Sequence, residues 1–140
     1  MIRIEIPMLP PRSLTANAPW ALHWSGKHAV RKAWREAVYY AGIEYRDAML
    51  KKAQLDITCV IRDRRYIMDA DNVLAACKAA IDMLTARVRG ANPGRGDPGR
   101  QGLCIIIDDS PNCLEIRLPV KWEVDRDRAP LTIFEIEELK

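Results

Sequence analysis

The chain has 140 residues and a mass of 15.9 kDa, with 49% hydrophobic and 29% charged residues. That length suits one domain, and the composition excludes a chain disordered throughout. The net charge of +3 hides an asymmetry: residues 1–68 carry 12 Lys and Arg against 6 acids, whereas residues 103–140 carry 5 against 9.

Clustered positive charge favours a polyanionic partner, although a solvated basic face has the same composition. No apolar run approaches the roughly 20 residues that span a bilayer, and Met1-Ile2-Arg3-Ile4-Glu5 lacks the basic start and apolar block of a signal peptide. A cytoplasmic protein without a membrane segment is expected. Cys59, Cys77, Cys104 and Cys113 form no Cys-x-x-Cys pair, so they read as small buried hydrophobes rather than zinc ligands.

Residues 2–8 alternate apolar with polar, which predicts a half-buried strand. Three prolines break the stretch from Leu9 to Pro19, which reads as a loop. From Lys27 to about Leu50, Val30, Trp34, Ala37, Val38, Ala41, Tyr45, Ala48 and Met49 recur at helical spacing, with Gly42 as a candidate break. Residues 55–61 alternate again and end in Arg62-Asp63-Arg64-Arg65. Val73, Leu74, Cys77, Ala80, Ile81 and Leu84 make one stripe, predicting a second helix from about Asn72 to Ala86.

Residues 87–102 hold five of the seven glycines together with Arg87, Arg89, Arg95 and Arg100, and read as a flexible loop. A short apolar strand, 103–107, then runs into Asp108-Asp109, and further strands are expected at 114–118, continuing near Trp122, and at 131–136. The sum is an α+β fold: a single domain over residues 1–140 with one mixed β-sheet of about five strands and two main helices.

The acids are the chemically informative residues. Asp69 and Asp71 stand at a helix entry, where a carboxylate has an ordinary use as an N-cap. Asp71, Lys78 and Asp82 fall within about 20° of one line along that helix. Lys78 and Asp82 are also a plain i, i+4 ion pair. Asp108 and Asp109 arrive from a separate strand, so a hard cation such as Mg²⁺ has oxygen ligands to draw on from two elements. Acids holding a cation, with a lysine beside them, suit hydrolysis of a phosphodiester. No phosphate-binding glycine loop and no nucleophile elbow is present, which argues against nucleotide hydrolysis and serine chemistry.

Taken in order, Asp69-x-Asp71-Asn72, Lys78-Ala79-Ala80-Ile81-Asp82-Met83-Leu84 and Ile107-Asp108-Asp109 resemble the RusA-like endodeoxyribonucleases, small Holliday junction resolvases of bacteria and their phages. Pro10-Pro11, His23-Trp24 and Lys32-Ala33-Trp34-Arg35 extend the resemblance over most of the chain. It implies a Mg²⁺-dependent homodimer, with Mn²⁺ as a substitute metal, that nicks four-way DNA junctions symmetrically. It assigns Asp69, Asp71 and Asp109 to metal and catalysis and Lys78 to catalysis or phosphate binding, with Asp108 and Asp82 in secondary places. The best-known form of the motif has its lysine four residues after the second acid, and here the interval is seven.

Candidate phosphate contacts are Arg31, Lys32, Arg35, Arg62, Arg64 and Arg65, with Arg87, Arg89, Arg95 and Arg100 in the glycine-rich loop. Trp20 and Trp24 are candidates for stacking on unpaired bases, whereas Trp34 lies on the apolar stripe and reads as core. Two other readings stay open: a non-enzymatic protein that binds branched DNA on the same scaffold, and a magnesium nuclease for other branched or flapped DNA.

Overall fold

The computed structural model describes residues 1–14, 24–85 and 102–140. Trp20, His23, Arg87, Arg89, Arg95, Arg100 and nearly all of the expected glycine-rich loop lie outside the described residues.

The strands are β1 (Ile2–Ile6), β2 (Ala53–Ile61), β3 (Leu114–Ile116), β4 (Lys121–Val124) and β5 (Leu131–Glu138), and the helices are α1 (Trp24–Gly42) and α2 (Ala70–Met83). They form an α+β fold with one mixed sheet. β5 lies antiparallel between β1 and β2, and the far edge of β2 is shared by β3 along its first residues and β4 along its last, both parallel to it.

The sheet follows from period-two alternation. Ile4 and Ile6, Leu55, Ile57 and Cys59, and Phe134 and Ile136 point to one face, and all are almost fully buried. Ile57 and Ile4 both register with Phe134, so the three make a row across the centre of the sheet. Trp34 and Val38 of α1 and Val73, Cys77 and Ala80 of α2 close over that face in one cluster. Both helices therefore take their places from apolar stripes that the sequence displays.

Several boundaries differ from expectation. α1 stops at Gly42, and Ile43–Tyr45 continues only as a 3₁₀ turn. A Cβ at Gly42 would stand 2.8 Å from Leu103 Cδ1 and 3.1 Å from Ile4 Cδ1, so a glycine lets the helix end press on the core. The strand expected over 114–118 and on to Trp122 is two, β3 and β4, with Pro119 between them, a residue that has no N–H to offer a ladder. α2 begins two residues earlier than the stripe suggests and ends three earlier.

The expected strand over 103–107 is absent, leaving a single bridge between Leu50 and Ile106. Leu103, Ile105 and Ile106 are fully buried, so the segment is apolar for a different reason. Its N–H groups go to the end of α2: Leu103 to Met83, Cys104 to Thr85, and Ile105 and Ile106 to Leu84. Its carbonyls accept from Asp47, Met49 and Leu50. Cys104 has φ 53, incompatible with a regular strand. Periodicity cannot separate a buried connector from a buried strand, because both are continuous apolar runs.

Only part of the cysteine expectation holds: Cys59 and Cys77 are buried, while Cys104 and Cys113 are half-buried, and all four are free thiols. Burial pushes the Cys59 thiol up to about 12, against a smaller lowering by the Thr132 hydrogen bond. Burial, helped by the nearby Cys59, pushes Cys77 up as well. A disulfide-exchange reagent at pH 8 is thus expected to react with Cys104 and Cys113 in the native protein and with Cys59 and Cys77 only after unfolding. Four fast thiols under native conditions would contradict this packing.

Candidate functional site

α2 organises the site. Asp69 occupies its N-cap position, yet the side chain makes no capping hydrogen bond; it and Asp71 in the first turn stand exposed. The capping use open to these acids is not taken up by Asp69, though both remain beside the positive end of the helix. Between them and the body of the helix, Asn72 keeps a buried Oδ1 without a hydrogen-bond partner among the described residues.

Two turns further on, Lys78 Nζ stands 3.9 Å from Asp82 Oδ1 and 4.0 Å from Asp109 Oδ2. The lysine side chain is 61% exposed, whereas those of Asp82 and Asp109 retain 9% and 18%. The lysine thus reaches in from solvent over two largely covered carboxyls. Asp82 and Asp109 thus meet at the same ammonium group. Burial raises the Asp82 carboxyl above its ordinary 3.8; Lys78 opposes this, Asp109 adds to it, and Arg35 opposes it.

Asp109 reaches Lys78 because the chain from Gly102 is strapped to the end of α2 by the N–H bonds to Met83, Leu84 and Thr85. Asp108 is exposed, and its Oδ1 accepts the Asp109 backbone N–H at 2.9 Å, which fixes the turn that presents Asp109.

The resemblance's ligand set therefore falls into two groups. Eleven positions on a helix span about 16 Å, which separates Asp71 from Asp82. Among the described residues no three His, Cys, Asp or Glu side chains gather closely enough to hold a metal ion. Asp82 and Asp109 do supply two carboxylates at one place. Mg²⁺ bound mainly through water and substrate phosphate asks for one or two, so the donor chemistry fits.

Of the basic residues singled out in the sequence, Arg31 and Arg35 are at this site. With Leu14, Ala75, Lys78, Ala79 and Asp82 they line a cavity of about 260 Å³. Lys32 lines another, of about 480 Å³, with Arg35, Arg46, Tyr39 and Tyr40. Arg64 and Arg65 lie on the 3₁₀ turn before α2, away from Lys78 along the chain. Sequence reasoning missed Arg12, whose Nη2 donates to the Arg65 carbonyl at 3.0 Å across 53 residues of sequence. No local pattern announces a contact of that separation.

The Asp82 carboxyl has a consequence for stability. Its folded value is raised, so between pH 3.8 and that value the folded chain holds more protons than the unfolded one. Stability must fall as pH rises through this window. In chelator, urea unfolding of Asp82→Asn is expected to lack this fall from about pH 4 upward, and parallel curves for the two proteins would refute the pairing.

The fold and site define an α+β domain with a lysine-bridged carboxyl pair opening on a basic cavity. No protein-family model matches the chain, and neither a curated protein nor a solved structure matches it at a significant level.

Proposed function

We propose that the chain is a Mg²⁺-dependent endonuclease of branched DNA that resolves four-way junctions by paired symmetric nicks as a homodimer. The observation that supports it most is Lys78 lying between Asp82 and Asp109 beside a cavity lined by Arg31 and Arg35. Arg31 and Arg35 draw the phosphate backbone to the cavity, and Lys78 meets a non-bridging oxygen there. Asp109 and Asp82 would hold the cation through their carboxylate oxygens. Asp69 and Asp71, exposed at the start of α2, are the further carboxylates that the resemblance assigns to metal and catalysis. Mg²⁺ supplies positive charge against the phosphodiester under attack, and Mn²⁺ suits the same oxygen ligands. A two-fold dimer matches the two-fold symmetry of a four-way junction.

One observation favours a second reading, a branched-DNA-binding protein that does not cut: Asp109 pairs with Asp82 and Lys78 instead of joining Asp69 and Asp71. An end-labelled junction incubated with Mg²⁺ or Mn²⁺, beside linear duplex and the Asp71→Asn variant, separates the two. Paired nicks that vanish in the variant, with junction binding kept, support the nuclease. Binding without cleavage in either metal supports the binder, and a strictly monomeric protein under assay conditions counts against paired nicking.

A further inference from the structure

A third cavity, of about 280 Å³, lies immediately ahead of α2. Its walls are Leu9, Pro10, Pro11, Tyr66, Met68 and Trp122, with Arg12 beside them. The two prolines stiffen one wall. Trp122 enters from β4, where it registers with Cys59 of β2, and Met68 is the residue before Asp69. The cavity is thus adjacent in sequence and space to the acidic start of α2.

Its rim is basic. The Tyr66 ring carries the Arg12 guanidinium at 5.6 Å and the Arg65 guanidinium at 5.5 Å from its centroid. Arg64 is exposed on the same turn, where Asp63 lies 3.6 Å from Arg65. An apolar slot with aromatic walls and guanidiniums at its mouth is complementary to a flat ring attached to phosphates. A volume just below the roughly 300 Å³ at which small-molecule pockets begin has room for one ring system and excludes a helix or a base pair.

We propose that this cavity receives one unpaired nucleobase from the branch point, stacked against Trp122 and Tyr66, with the adjoining phosphates on Arg12 and Arg65. The proposal rests on the nucleic-acid reading above and deepens it by giving the site a source of structure selectivity. Extruding a base from intact duplex costs a few kcal/mol, and least where it is already unpaired. A base seated beside Asp69 would then place the phosphate next to it at the start of α2.

The test is a set of four-way junctions in which each nucleotide flanking the branch point is replaced in turn by an abasic site, with binding measured in chelator so that nothing is cut. Stacking of one base on an aromatic side chain corresponds to about 5- to 150-fold in affinity. One abasic position is expected to weaken wild-type binding by that factor. Trp122→Leu is expected to weaken binding to the intact junction similarly, with no further loss at that position. Should Trp122→Leu unfold, Tyr66→Leu on the exposed turn carries the same comparison. Equal binding at every abasic position, or losses that simply multiply, would overturn the cavity's role while leaving the nuclease reading intact. Failure to bind any junction would overturn both.

Discussion

Asp109→Asn is expected to lower junction cleavage by at least about 100-fold, the scale on which single preorganised charges act in transition states. Asparagine keeps the shape of the carboxyl, and the turn held by Asp108 through the residue's backbone N–H survives. What it loses is the negative charge that faces Lys78 and any cation. Junction binding in chelator should stay within about twofold, since removal of one acid does not weaken attraction to phosphate. Undiminished cleavage would take Asp109 out of the reaction. Loss of binding together with cleavage would instead mark a structural role for the Asp82–Asp109 pair.

The second large effect is expected at Gly102. A Cβ there would lie 1.8 Å from the Thr85 carbonyl oxygen and 2.9 Å from that of Met83. Neither oxygen can move aside alone, because each accepts an N–H from the strap, Met83 from Leu103 at 2.7 Å and Thr85 from Cys104 at 3.3 Å. Gly102→Ala must therefore lift the strap from α2, disturbing Leu103, Ile105 and Ile106 in the core. A loss of about 3 kcal/mol or more in urea unfolding is expected, at the upper end of overpacking effects. Cleavage should fall further than stability accounts for, since the same strap delivers Asp109. A variant within about 0.5 kcal/mol of wild type would show that the junction of α2 and the strap is looser than described.

How far these features were legible varies with their range in the sequence. The helical stripe through Val73, Cys77 and Ile81 also disclosed that Asp71, Lys78 and Asp82 share a line on α2, because 3.6 residues per turn is a local rule. The same rule anticipated the Lys78–Asp82 pair at i, i+4. It said nothing of where Asp109 would land along that line. The answer depends on hydrogen bonds from Leu103, Cys104, Ile105 and Ile106 to Met83, Leu84 and Thr85, which close a connection after Gly102. The start of α2 at Ala70, which makes Asp69 the N-cap and puts Asp71 in the first turn, is a boundary that the apolar stripe does not mark.

The sequence by itself determined the α+β class, the strands β1, β2 and β5 and the buried faces of both helices. These depend on periods of two and 3.6 that hold within a few residues. Only the tertiary structure decided that 103–107 is a strap rather than a strand, that Asp109 joins Asp82 and Lys78, and that Arg12, Tyr66 and Trp122 meet around one cavity. Each of those outcomes joins residues far apart in the chain through backbone hydrogen bonds and close packing, which no local period encodes.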